Sequence, residues 1–171
     1  SEQFSYTAVD TDGSSSTAKL VVTVNGANDV PSITGTSAGT VTEAGDIANG
    51  TPGTPSASGQ LTITDPDAGQ SSFQTPASLS GTYGTFTFNA ATGAWTYTLA
   101  NNSAATEALK AGQIVTEKLT VTSLDGTKTQ DITVTVNGTN DAPVISAAQT
   151  VSVSEEGLPG GVPDTTGNVA G

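Results

Sequence analysis

Gly84-Thr85-Phe86-Thr87-Phe88-Asn89-Ala90-Ala91-Thr92-Gly93-Ala94-Trp95-Thr96-Tyr97-Thr98-Leu99 is the stretch whose pattern decides the fold. Apolar and hydroxyl residues alternate up to Asn89, a turn-forming Ala90-Ala91-Thr92-Gly93 follows, and the alternation resumes from Ala94. A period of two with a short turn between predicts paired strands, with Phe86, Phe88, Trp95, Tyr97 and Leu99 on the core face. Outward from this hairpin, Gly59 to Asp65 alternates in the same way. Val115 to Leu124 and Lys128 to Val136 read as a closing hairpin across Asp125-Gly126-Thr127. Ser103 to Gly112, with Ser at the cap position and Gly at the end, reads as the single short helix. Ala44 to Ser58, rich in Gly, Pro, Thr and Ser, reads as an exposed loop.

Composition supports an all-β chain and removes whole classes of chemistry. Threonine is the most abundant residue of the 171, and 20 Gly and 8 Pro supply turns. The net charge is -12, from 16 acidic residues against 4 basic ones, and there is no His and no Cys. Histidine- or thiol-based nucleophilic catalysis, zinc or iron-sulfur ligation and disulfides are therefore excluded. A phosphate-tracking nucleic-acid surface is not expected with so few cations, and no apolar run is long enough to insert in a membrane. What remains is oxygen, from carboxylates, amides, hydroxyls and carbonyls, and that set suits calcium.

An internal repeat organises the chain. Val22-Thr23-Val24-Asn25-Gly26-Ala27-Asn28-Asp29-Val30-Pro31 returns, 112 positions on, as Val134-Thr135-Val136-Asn137-Gly138-Thr139-Asn140-Asp141-Ala142-Pro143. The same offset carries Ile33 onto Ile145, Val41 onto Val153, Glu43 onto Glu155 and Gly45 onto Gly157, and Tyr6 to Asp10 matches Val121 to Asp125. Such a period is about one β-sandwich. Joints placed at the Asn-Asp-x-Pro sequences give residues 1–30 as the tail of one repeat, 31–142 as a complete repeat and 143–171 as the head of another. A register with the Asn-Asp turn inside a domain fits the pattern too. Ser1 to Tyr6 reads as a strand rather than a signal peptide, so a piece of a longer chain is expected. The two end fragments together lack the counterpart of residues 60 to about 117. They are expected to be loose, or to pack on the central unit or on a neighbouring molecule.

The series Thr64-Asp65-Pro66-Asp67-Ala68-Gly69, Tyr83 to Tyr97, Ala108-Leu109-Lys110-Ala111-Gly112-Gln113, Asp125-Gly126-Thr127 and Val136 to Pro143 resembles the VCBS repeat, a cadherin-like, immunoglobulin-like module found in tandem in large bacterial RTX adhesins. The resemblance implies a Greek-key β-sandwich, type I export and an extracellular, cell-surface place. It implies a role as extender or binding module in adhesion and biofilm formation, with neighbouring repeats as partners. It also implies calcium at the joints, held by an early glutamate, an Asn-Asp linker and a D-x-D pair. Glu43, Asn140-Asp141, Asp65-Pro66-Asp67 and, at the first joint, Asn28-Asp29 match those residue types. The family's longer linker and its acidic Asp-Arg-Glu motif are not present.

Asp10-Thr11-Asp12-Gly13 adds a second metal candidate, Asp10 and Asp12, on the strength of alternating Asp before Gly. Each candidate has a plainer alternative. Asp65-Pro66-Asp67 reads equally as a solvated turn, and Asn140-Asp141 as a structural linker. Asp125-Gly126 and Asn137-Gly138 read as turns, Glu107, Glu117 and Asp131 as surface charges, and Trp95 as core. Three function classes follow: a calcium-stabilised extender, a module binding surface glycan or protein through its loops, and a piece of a secreted hydrolase. No carboxylate pair is marked out for catalysis, so an enzyme is not expected.

Overall fold

The computed structural model describes residues 1–143. Nine strands follow in order: β1 (Glu2–Val9), β2 (Ser15–Val22), β3 (Ser32–Gly35), β4 (Ala38–Thr42), β5 (Ser56–Thr64), β6 (Gly84–Phe88), β7 (Ala94–Leu99), β8 (Ile114–Thr122) and β9 (Thr129–Asn137). β3 to β9 form a sandwich of two sheets, one ordered β3-β5-β7-β6 and the other β4-β9-β8. All pairings are antiparallel except β4 on β9, where Val41 lies beside Val136. The expected immunoglobulin-like β-sandwich is observed.

Alternation sets which side chains meet between the sheets. Val41, Leu61, Phe86, Trp95, Tyr97, Leu99, Leu119, Val121, Ile132, Val134 and Val136 form one buried cluster. Phe88 is partly buried and meets Phe73 edge to face, with ring centroids 5.2 Å apart. Trp95 is core, and its indole N–H donates to the Thr36 carbonyl at 2.7 Å, which satisfies the only polar atom the ring carries inward. Gly59 is required beneath that ring, because a Cβ there would stand 2.8 Å from the indole.

Three expectations are corrected. Ser103 to Gly112 is not a helix but a chain of tight turns, in which Thr106 N–H donates to the Ser103 carbonyl, Leu109 to Thr106 and Gln113 to Lys110. Ser103 does cap Thr106 N–H through its hydroxyl, but so short a segment cannot repay helix nucleation, and burial of Leu109 pins it instead. Among the described residues, the one helical turn is Ile47–Asn49. It lies within Ala44 to Ser58, which is not simply an exposed loop. Ala44 and Gly45 are buried, Gly45 pairs with Thr51 and Thr42 with Thr54, and Ser56 already belongs to β5. Glu117 is not a surface charge. It is 6 % exposed, on the inward face of β8, and one of its carboxylate oxygens accepts the Thr82 and Tyr83 N–H groups, both at 2.9 Å.

β1 and β2 pair as a separate hairpin, exposed along its whole length. The repeat makes it the counterpart of β8 and β9. Phe4, Tyr6, Leu20 and Val22 therefore stand where Leu119, Val121, Ile132 and Val134 are buried, yet Phe4 is 53 % and Tyr6 60 % exposed. The expectation that residues 143–171 form the head of another repeat falls, from residue 144 onward, outside the described residues.

Candidate functional site

Apart from Asp10 and Asp12, the residues singled out from sequence as metal candidates gather at the two ends of the sandwich. β9 divides the ends: the turn carrying Asp125 precedes it and the Thr139-Asn140-Asp141 segment follows it. Nine residues of strand at about 3.4 Å each put roughly 30 Å between them.

At the second end, Glu43 follows β4 and is held inside by its backbone, whose N–H donates to the Asn137 carbonyl at 3.0 Å. Its side chain is 1 % exposed. One carboxylate oxygen accepts Thr139 N–H at 2.9 Å, and the other, Oε1, is buried with no partner. Both carboxylate oxygens of Asp141 and the hydroxyl of Thr139 are likewise buried and unpartnered. The turn after Glu43 wraps this segment: Asp46 N–H donates to the Asn140 carbonyl at 2.8 Å, and Ala44 N–H to Asn101 Oδ1 at 3.1 Å. The chain bends there through left-handed backbone at Asp46 (φ 71°), Ala48 (φ 51°) and Asn49 (φ 56°), a concentration of strain in one loop.

Asn49 completes the group. Its Nδ2 donates to Glu107 Oε1 and to Asn102 Oδ1, both at 2.8 Å, and two acceptors on one side of the amide fix its orientation. Its Oδ1 is buried and finds no donor. Burial pushes the Glu43 carboxyl above the usual carboxylate range, the Thr139 N–H opposes this, and the charges of Asp141 and Glu107 add to the rise. This end therefore holds five unpartnered oxygens from Glu43, Asn49, Thr139 and Asp141, under mutual negative charge. It is acceptor-rich, with Lys110 bordering the cleft it shares with Glu107, Thr139 and Asp141, and its oxygens are of the kind a hard cation takes.

At the first end, the loops after β5 and β8 meet the linker. Asp65 is buried; its Oδ1 accepts Asp67 N–H at 2.9 Å and its Oδ2 has no partner. Asp67 accepts Asp29 N–H at 2.8 Å, and Asn28 Nδ2 donates to Asp125 at 2.9 Å. Asp125 also accepts the hydroxyls of Ser123 and Thr127. Hydrogen bonds from Ser123, Thr127 and Asn28, in that order, hold its carboxyl well below the usual range. The turn read at Asp125-Gly126 is thus also a docking point for the linker.

The structure therefore separates the sequence candidates into two sets, Glu43 with Asn140-Asp141 and Asp65 and Asp67 with Asn28-Asp29. Asp10 and Asp12 join neither. They form the tip of the β1–β2 hairpin, where Asp10 accepts the N–H groups of Asp12 and Ser14. Among the described residues, no three acidic side chains converge closely enough to hold a metal by themselves. Asn49, Thr139 and Glu107 were not legible as site residues. Asn49 sits in a loop by composition, and only the fold brings it to Glu107. The repeat of Asn-Asp at 28–29 and 140–141 was the one signal that marked both ends.

No curated protein matches this chain. The model of the bacterial cadherin-like domain matches residues 28–138, about two thirds of the chain, spanning the sandwich from the Asn28-Asp29 linker to Gly138 and ending just before Thr139, Asn140 and Asp141. The chain belongs to the bacterial cadherin-like domain family.

Proposed function

We propose that this protein is a non-catalytic, calcium-stabilised extender of a bacterial cell-surface adhesin, acting in adhesion and biofilm formation as one link of a tandem array of VCBS type. Domains of this family are adhesion-type modules, typically extracellular and generally without catalytic activity. Among the described residues no helix is long and apolar enough to cross a membrane. Export by a type I system and an RTX-type parent chain belong to the same proposal.

The observation that carries the calcium reading is the set of unpartnered buried oxygens on Glu43, Asn49, Thr139 and Asp141. Leaving several buried acceptors without donors is costly, and more so when two are carboxylates. Calcium takes six to eight oxygens, more than this end supplies alone. The repeat explains the shortfall: an Asp65 and Asp67 loop on the next repeat would bring the remaining oxygens, with the boundaries of the repeats at the Asn-Asp linkers. Bound there, the cation neutralises carboxylates that otherwise repel. Glu43 anchors the linker through Thr139 N–H, the turn from Ala44 to Asn49 clasps it, and rotation between successive repeats is restricted.

The reading of a glycan-binding module draws less support. The aromatic rings of the sandwich core, Trp95, Phe86 and Tyr97, are buried rather than displayed as stacking platforms.

The test is a pair of calorimetric melts, one in millimolar calcium and one in chelator. If free calcium stands at about 100 times its dissociation constant, stabilisation is about 2.7 kcal/mol. For a sandwich of this size that raises Tm by roughly 10 °C. Identical melts overturn the calcium reading.

A further inference from the structure

The one parallel pairing among the described residues joins β4, near the start of the sandwich, to β9, its last strand. We propose that this pairing is a mechanical clamp: tension applied through the two ends of the repeat shears β4 against β9, the direction in which the sandwich resists unfolding most. The inference rests on the proposed extender role, because a link in a stretched array is loaded through both of its ends.

The direction of loading follows from the topology. The chain enters at the first end, where Ser32 pairs with Thr64 beside Asp65, and leaves at the second end, past Asn137. β4 and β9 both run from the first end to the second. Tension therefore draws the start of β4 toward the first end and the finish of β9 toward the second, so the two strands slide past each other along their axes. Ladder hydrogen bonds lie across the strands, so every bond from Ala38 beside Thr133 to Thr42 beside Asn137 is strained at the same moment. Two flanking bonds extend the ladder: Thr133 N–H donates to the Ser37 carbonyl at 2.9 Å, and Glu43 N–H to the Asn137 carbonyl at 3.0 Å. A hairpin opened from its end, by contrast, gives up its bonds one pair at a time.

Neither strand yields alone. β9 is the middle strand of its sheet and is laddered to β8 along its other side. Val41 and Val136, side by side, are fully buried, and a Cβ on Gly39 would stand 2.8 Å from Ala57 Cβ and 3.1 Å from the Trp95 ring. Water is thus kept from the inner face of the ladder, where a broken bond would find no replacement partner. Upstream, β3 carries the load only from Ser32 to Gly35 before the chain crosses to β4. The crossover is pinned at Thr36, whose N–H donates to the Gln60 carbonyl at 2.8 Å and whose carbonyl accepts the Trp95 indole N–H at 2.7 Å. The short β3 ladder parts first and leaves β4 as the holding element.

The chain contains no Cys, so cysteines introduced in pairs are the only attachment points for single-molecule stretching of the full chain. Three pairs use exposed positions and share Pro143→Cys. Val30→Cys loads the repeat in its native direction, and Thr36→Cys loads β4 directly, bypassing β3. Ile114→Cys opens the β8–β9 ladder from the end where Ile114 lies beside Asn137. All three are measured in chelator, so calcium plays no part in the result, and the calorimetric melts test calcium separately. Exposed substitutions of this kind change stability little, so a difference in force reports direction. The Val30 and Thr36 pairs are expected to unfold at similar force, about twofold or more above the Ile114 pair, because forced unfolding follows the unfolding rate along the loaded path. Equal forces for all three pairs overturn the proposal. So does a Thr36 pair that falls to the level of the Ile114 pair, which would place the resistance in β3.

Discussion

Glu117 offers the sharpest test of how this sandwich is held together. It occupies an inward position on β8, between Val115 and Leu119, where a carboxylate would ordinarily be excluded. The compensation is visible: a single oxygen receives Thr82 and Tyr83 N–H at 2.9 Å each, fastening the loop that enters β6. Tyr83 carries that loop onward, its carbonyl accepting Ala100 N–H at 2.8 Å. Hydrogen bonds to a charged partner contribute about 1.5–3 kcal/mol each. Glu117→Ala removes both, about 3–6 kcal/mol, and recovers part of that by no longer burying a carboxylate, so the expected loss is roughly 2–4 kcal/mol. At about 4 °C per kcal/mol for a unit of this size, Tm falls by about 8–16 °C. Glu117→Gln retains one acceptor oxygen in the same place and should cost about 1 kcal/mol or less. The assay is urea unfolding followed by the fluorescence of Trp95, the single tryptophan, which is buried and reports loss of the core directly. If Glu117→Ala unfolds within about 0.5 kcal/mol of the parent, or if Gln is as damaging as Ala, the two hydrogen bonds are not what fastens the loop.

Two other substitutions test neighbouring claims. Glu43→Gln keeps an acceptor for Thr139 N–H while removing a buried charge that burial, Asp141 and Glu107 all disfavour. It should raise the Tm of the chelated protein and abolish the increment from calcium, whereas a calcium increment of parental size would remove Glu43 from the site. Gly59→Ala puts a methyl 2.8 Å from the Trp95 indole and should destabilise by about 1–3 kcal/mol with a shifted Trp95 emission, while an unchanged melt and spectrum would show that the ring moves aside freely.

Much of the fold was legible because it depends on local periodicity. The alternation at Gly84 to Leu99 placed Phe86, Trp95, Tyr97 and Leu99 inside, and all four are buried. The closing hairpin was legible for the same reason, since Asp125-Gly126 punctuates two alternating runs. Glu117 defeated the reading because residue type argues for the surface while position argues for the core. Only the loop at Thr82 and Tyr83, 34 or more residues away in sequence, decides between them. Ser103 to Gly112 defeated it for another reason: its cap was real, but cap and length compete, and the turns that bury Leu109 won.

By itself, the sequence determined that the chain is all-β, that it is built on a repeat of about 112 residues, and that its site chemistry is limited to oxygen. Those properties are carried by composition, by period and by recurrence, none of which needs a partner in space. Tertiary structure decided how the oxygens are shared out. β9 holds its two ends apart, so Glu43 and Asp141 share one end with Asn49, Thr139 and Glu107, while Asp65 and Asp67 share the other with Asn28, Asp29 and Asp125. The order of residues along the chain does not record which loops a sandwich brings together, because strand pairing joins residues dozens of positions apart.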